Sequence, residues 1–233
     1  MPPTHRFDAA IFDLDGTLID TEAMCNTAGV AACTDMGLDV SLSFFESLAG
    51  IHDAERVRLI AAHIGGAVDA DAFFAHWDKQ CSLRFAEGVP LKPGVHQVLG
   101  ALQAAGMPLA IATSSRAGPA ADKIGLAGLG GYFQTIVTFD DVAQAKPAPD
   151  PYLLAARRLG ANPLNCVAFE DSETGARAAL AAGMTVIQIP DIHPTDGRHA
   201  HHVAPNLVAG ALWASLLTRT KPSAAGPVGN ASF

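Results

Sequence analysis

The sequence predicts an α/β protein: a core of parallel strands joined by crossover helices, with a helical block inserted near its start. Three observations predict it. Short apolar runs recur at Ala9–Phe12, Leu109–Ala112, Thr135–Thr138, Cys166–Phe169 and Thr185–Ile189. From the second run onward they alternate with helical patterns, the signature of parallel strands. Between the first and second runs, over residues 20 to 92, no strand pattern is found.

Ala9–Phe12 reads as a buried strand, and Asp13-Leu14-Asp15-Gly16-Thr17 turns the chain at its end. In the block that follows, Val57, Ile60, Ala61 and Ile64 mark one helix face, and Phe74, Trp77, Cys81 and Phe85 mark another. The block is too long for one crossover. It is expected to lie over the carboxyl ends of the strands as a lid that excludes water and selects substrate. Val95, Val98, Leu99 and Leu102 give the apolar stripe of a further helix, which stops at Gly106. Asp150-Pro151 starts a helix that Gly160 ends. Ser172 starts the next, and Gly183 ends it. Residues 1–19 and 93–220 are assigned to the core and 20–92 to the insert. The tail from Lys221 to Phe233 has no periodicity and reads as disordered.

At 233 residues and 49% hydrophobic, the chain is long enough for one large domain or a domain with an insert. Its net charge of -8 gives no general attraction to nucleic acid or an anionic membrane. An anionic substrate would need locally placed positive charge. No apolar run approaches the length of about 18 residues that marks a membrane span. Met1 to Asp8 lacks the apolar stretch of a secretory signal. Cys25, Cys33, Cys81 and Cys166 are scattered without a C-x-x-C pair, as in a reducing compartment. A cytoplasmic protein, monomeric or weakly oligomeric, is expected.

Four segments carry candidate chemistry. Asp13 and Asp15 are two acids at a strand end; such a pair resists double ionisation unless a cation or a shared proton is present. Thr113-Ser114-Ser115-Arg116 follows the second strand, and hydroxyls there suit an anion or cap a helix. Lys146, in Ala145-Lys146-Pro147-Ala148-Pro149, has a restricted backbone that would aim a point charge at phosphate. Glu170 and Asp171 end the fourth strand, where hard carboxylate oxygens suit Mg2+ or the acids simply favour a helix N-terminus. In a parallel sheet these strand ends share one edge, where α/β proteins bind ligands.

Taken together the set resembles the haloacid dehalogenase-like hydrolase superfamily. Its motifs run D-x-D-G-T, a strand ending in Thr or Ser, a lysine, and an acidic pair. Here they match Asp13/Asp15, Thr113, Lys146 and Glu170/Asp171 in that order. Lys146 to Asp150 and Phe169 to Ser172 look like the subgroup of sugar-phosphate phosphatases and beta-phosphoglucomutases. The resemblance covers about residues 8 to 215. It implies a Rossmann-like core with an inserted α-helical cap domain.

It also implies roles. Asp13 would be the nucleophile that forms an aspartyl phosphate, and Asp15 the acid and base. Mg2+ would be held by Asp13, the Asp15 carbonyl and Asp171, with Glu170 close by. Lys146 would balance charge, and Thr113 with the Ser114 amide would hold phosphate oxygens. Gly50 resembles the substrate-facing cap loop, near Arg56 and Arg58. The implied activity is a phosphatase for a small phosphorylated metabolite, such as a sugar or polyol phosphate. A phosphoglucomutase-like phosphotransferase is the nearest rival, weakened because Cys25 stands where those mutases carry a histidine. Lys79 sits at no phosphonate-hydrolase motif, and Asp15 argues against dehalogenation. A non-catalytic phosphate-binding module is the alternative from another class. His199, His201 and His202 read as a solvated helix end and not a metal site. Asp140-Asp141 either caps a helix or approaches the site.

Overall fold

A computed structural model describes residues 7–48, 51, 53–191 and 194–217. In chain order its elements are β1 (Ala9–Phe12), α1 (Glu22–Asp35), α2 (Leu42–Glu46), α3 (Asp53–Ile64), α4 (Ala70–Phe85), α5 (Val95–Ala104), β2 (Leu109–Ala112), α6 (Ala117–Leu126), β3 (Thr135–Val137), α7 (Asp150–Leu159), β4 (Cys166–Glu170), α8 (Glu173–Ala181), β5 (Thr185–Gln188), β6 (His202–Val203) and α9 (Leu207–Trp213). The strands form one parallel sheet in the order β3-β2-β1-β4-β5-β6. The architecture is the α/β, Rossmann-like core with a helical cap inserted after β1. β1 is central, and the chain order reverses between β1 and β4, the kind of crevice in which open α/β sheets bind ligands.

The strands alternate their side chains between two apolar layers, as their period of two requires. Ala10, Phe12, Leu109, Ile111, Val167 and Phe169 face one layer with α5, α6 and α9. Ala9, Ile11, Ala110, Ala112, Cys166 and Ala168 face the other with α7 and α8. Phe12 and Phe169 stack with centroids 4.8 Å apart. Burial of each such ring stabilises the sheet by about 2–3 kcal/mol. This packing fixes the strand whose next residue is Asp13.

The inserted helices α1 to α4 have their own core, centred on Phe45, Ile60 and Phe73. The chain leaves the sheet at Leu18–Asp20 and returns at Pro90–Lys92, and the two segments are bonded side by side: Asp20 N–H donates to the Pro90 carbonyl at 2.9 Å and Lys92 N–H to the Leu18 carbonyl at 3.0 Å. Among the described residues no helix is long and apolar enough to cross a membrane.

Several details differ from expectation. The short β6 was missed, because two residues carry no periodicity. The third and fifth strands stop one residue early, and the fourth runs one further, to Glu170. In α4 the residues Phe74, Trp77, Cys81 and Phe85 share one face, as expected, and line a cavity there, while the fully buried residue is Phe73, which the pattern did not single out. The helix after Pro149 begins at Asp150 itself, without a side-chain cap. His199 and His201 lie in the loop before β6 and His202 within it, not at a helix end. Gly50 and the tail 221–233 lie outside the described residues.

Candidate active site

The strand order brings the predicted segments together. Asp13 follows β1, with Thr113 after β2 on one side and Glu170-Asp171 at the end of β4 on the other. Asp13 N–H donates to the Phe169 carbonyl and Thr113 N–H to the Val137 carbonyl, each at 2.9 Å, so the backbone stays in the ladder up to the functional side chains. Asp13, Asp15, Thr113, Ser114, Lys146 and Asp171 line a single cavity of 550 Å³. Glu22, Cys25, Asn26, Arg56 and Trp77 close it from the helical insert. The volume falls within the range of small-molecule sites.

Lys146 is the hub of the buried half. Its side chain is 4% exposed, and Nζ lies 2.6 Å from Asp13 Oδ1 and 2.5 Å from Glu170 Oε1. Burial would lower its pKa, but Asp13 and Glu170 overcome that and hold it above the ordinary lysine value. Tyr152 O–H donates to the same Glu170 oxygen at 2.6 Å, and the Lys146 ammonium lies 5.1 Å from the centre of the Tyr152 ring. The other Glu170 oxygen accepts from Ser172 N–H at 3.3 Å and Ser172 O–H at 3.0 Å. A fully buried carboxylate tolerates burial only with such partners. Glu170, expected among the metal ligands, thus has both oxygens committed to protein donors. It fits the anchor of Lys146 better than a free ligand.

Asp13, Glu170 and Asp171 offer ligand oxygens all within 4.8 Å of one another. Burial, then the other acids, push the Asp171 carboxyl up to about 9. Burial pushes Asp13 up to about 7 against the pull of Lys146. The single lysine does not offset this concentration of negative charge. The fold also keeps the space open: Gly16 has φ +83°, and a Cβ there would meet Asp171 Oδ2 at 2.4 Å. Likewise a Cβ on Gly175 would lie 1.8 Å from Glu170 Oε1. Hard oxygens in excess of local positive charge fit a hard divalent cation.

The other half of the site was partly missed by sequence reading. Asp15 does not point at this cluster. Its oxygens accept from Thr21 O–H at 2.9 Å, Ser115 O–H at 2.9 Å and Lys123 Nζ, 2.6 Å from each oxygen. Lys123 also donates to Ser115 Oγ at 2.8 Å. Lys123 is a buried lysine on α6, and its one signal was register: it falls three residues after Ala120 and one before Ile124, both on the buried face. Thr113 and Ser115 do not cap α6, since the cap lacks a side-chain bond of its own and Ala117 N–H donates to Asp140. Of the two candidate arginines near Gly50, Arg56 lines the cavity, whereas Arg58 pairs with Glu55 on the surface.

The remaining candidates fall away from the site. His199 Nδ1 pairs with Glu173 at 2.7 Å, Val186 N–H donates to His201 Nδ1 at 3.0 Å, and His202 stacks on Trp213. Asp140 and Asp141 do cap structure, as described below.

The model of the haloacid dehalogenase-like hydrolase family matches residues 7–183. The chain belongs to that family. It is 32% identical to the fructose-1-phosphate phosphatase YqaB of Escherichia coli over 79% of this chain and 97% of that one. It is 35% identical to hexitol phosphatase A of the same organism, over 79% and 83%. A crystal structure of CbbY from Rhodobacter sphaeroides in complex with phosphate superposes with a TM-score of 0.74 at 27% identity, covering 90% of this chain and 96% of that chain. The chain is accordingly an enzyme, a phosphoric monoester hydrolase of this family.

Proposed function

We infer that the enzyme removes phosphate from a small sugar or polyol phosphate through an aspartyl phosphate, with Mg2+ as cofactor. The observation that carries this reading is the division of labour between the two aspartates. Asp13 sits against Lys146 and the acid cluster, while Asp15 is held apart by Lys123, Ser115 and Thr21. This separation supports reading Asp13 as the carboxylate that attacks phosphorus and Asp15 as the one that handles protons.

In this reading an Asp13 oxygen attacks the phosphorus as the leaving alkoxide departs. Asp15 gives that alkoxide a proton, then takes one from the water that hydrolyses the acyl phosphate. Thr113 and Ser114 hold the phosphoryl oxygens, and Lys146 compensates charge between Asp13 and the incoming phosphate. Asp13 and Asp171, with the Asp15 carbonyl, would hold Mg2+, with Glu170 behind Lys146. When bound, the cation supplies charge stabilisation for the transferring phosphoryl group. Glu22, Asn26 and Arg56 from the cap line the space left for the leaving group, which suits a polyhydroxylated metabolite. The two phosphatase relatives are named for substrates of that kind.

The test is turnover of p-nitrophenyl phosphate, then of fructose 1-phosphate, hexitol phosphates and nucleoside monophosphates, with Mg2+ and with chelator. Chelation is expected to abolish activity, and kcat/KM to be highest for sugar or polyol phosphates. Asp13→Asn is expected to lower kcat at least about 1,000-fold, as loss of a nucleophile does. Retained turnover in that variant would overturn the assignment. Glucose 1-phosphate isomerised in the presence of a bisphosphate would favour the mutase. Phosphate binding without any turnover would favour a non-catalytic module.

A further inference from the structure

Two of the four cysteines are placed as a pair. Cys25 on α1 and Cys81 on α4 are separated by 56 residues, yet their sulfur atoms lie 3.9 Å apart. One turn away on α4, the Trp77 indole N–H donates to the Cys25 carbonyl at 2.8 Å, so the two helices are already fastened beside the thiols. Both thiols are partly exposed and line a cavity of 670 Å³ between α4 and α6. Cys25 also lines the catalytic cavity, and Cys81 does not. Cys33 and Cys166 are buried.

We propose that Cys25 and Cys81 form a reversible disulfide, a modification site that ties α1 to α4 and reshapes the wall of the catalytic cavity. A disulfide needs sulfur atoms about 2.05 Å apart, so the bond draws the Cys25 and Cys81 sulfurs about 2 Å closer together, between α1 and α4. Contact with the Cys25 thiol, aided by Arg84 and Lys123, holds the Cys81 thiol below its ordinary value against burial and Asp78. Burial pushes Cys33 and Cys166 up to about 11. Cys81 lines only the cavity between α4 and α6, away from the catalytic acids, and is assigned as the attacking sulfur. With a peroxide as oxidant, the Cys81 thiolate attacks one oxygen and the O–O bond breaks. The departing hydroxide takes up a proton, leaving a sulfenic acid. The Cys25 sulfur then attacks the Cys81 sulfur, its thiol proton leaves with the sulfenic hydroxyl as water, and the S–S bond forms. Two thiols and one peroxide give one disulfide and two waters, and a dithiol reverses the change.

The bond itself is independent of the phosphatase reading; its effect on turnover rests on that reading. The test uses the full chain, reduced and then exposed to hydrogen peroxide. Peptides are mapped without reductant, and p-nitrophenyl phosphate turnover is followed before and after dithiothreitol. A Cys25–Cys81 cross-link lighter by two hydrogen atoms is expected, with Cys33 and Cys166 still free. Turnover is expected to fall at least about 3-fold, as a displaced pocket wall implies, and to recover with dithiothreitol. Cys81→Ser, or Cys81→Ala should the first variant fold poorly, is expected to keep full basal turnover and resist peroxide. Peroxide treatment that leaves these thiols unlinked, or takes one to a sulfinic acid, overturns the site. A mapped bond with unchanged turnover, or a Cys81 variant equally sensitive to peroxide, overturns the regulatory effect. An enzyme idle before oxidation that still forms the bond counts against the phosphatase reading alone.

Discussion

Two strands of the same sheet end in adjacent acids, and the two pairs have opposite fates. After β3, Asp140 accepts from Ala117 N–H at 2.9 Å, and Asp141 accepts from Thr138 N–H at 2.8 Å, Thr138 O–H at 2.7 Å and Arg158 at 2.6 Å. Against the upward push of burial, Arg158 and Thr138 hold Asp141 down to about 2. At the end of β4, burial and neighbouring acids push Asp171 up to about 9. One pair is stable as charged because the protein supplies the donors. In the other pair Glu170 has its donors, but among the described residues no side-chain donor meets the Asp171 carboxyl. A buried strand-end acid whose charge the fold leaves unsatisfied, as at Asp171, is a candidate for a functional site.

The substitution Asp171→Asn breaks this contrast most severely. Activation by Mg2+ is expected to weaken by about 100-fold or more, since even outer-sphere changes cost 10 to 100-fold. The metal-free variant is expected to melt higher than the metal-free parent at pH 8, by about 3 °C for about 1 kcal/mol in a chain of this size. The sign follows from linkage. The folded pKa of Asp171 lies above its ordinary value, so the ionised group destabilises the fold increasingly as pH rises from about 4 towards about 9. Mg2+ titration with thermal melts in chelator checks both halves. A variant that melts lower without metal would show that Asp171 is already satisfied by the protein.

The second contrast lies between the lysines. Lys146 serves Asp13, and Lys123 serves Asp15. Lys123→Met is expected to lower kcat about 10-fold with little change in KM, a fraction of the loss expected when a general acid is removed outright. Lys123→Arg should recover part of that loss. A purely structural lysine would instead show itself in thermal melts, with turnover per folded molecule unchanged.

The two lysines also show where the sequence was legible. Lys146 was readable because prolines fix its backbone and it falls between two strand signals in a known motif. The sheet, the insert and the convergence of Asp13, Thr113, Lys146 and Asp171 followed from strand periodicity and motif order. Lys123 was hidden because a lysine in the last turn of a helix has an ordinary explanation in the dipole. Only the fold shows that its face points at Asp15. Tyr152 was hidden for a related reason: it lies on a buried helix face, where an aromatic reads as core. Its hydroxyl matters because the fully buried Glu170 lies beside it. Apart from the motif match of Glu170/Asp171, the acid pairs look alike in sequence, since the donors to Asp141 come partly from Arg158, 17 residues away.

The smallest effect falls on the satisfied pair. Asp141→Asn is expected to leave turnover unchanged and to destabilise the fold by about 1 kcal/mol, the upper end for a partly exposed ion pair. Its folded pKa lies below the ordinary value of 3.8. The stabilisation from Asp141 is therefore fully present above about pH 4 and is lost as pH falls towards about 2. Parent and variant should differ in denaturant midpoint at pH 7 and converge in strong acid. Asparagine keeps one acceptor for Thr138 but gives up the charge that Arg158 faces, so the difference at pH 7 reads mainly the ion pair. The same Asp-to-Asn change thus carries opposite signs at two strand ends of one sheet, raising metal-free stability after β4 and lowering it after β3. If both variants lost stability equally, burial of unmatched charge would not be what separates the catalytic edge from its neighbour.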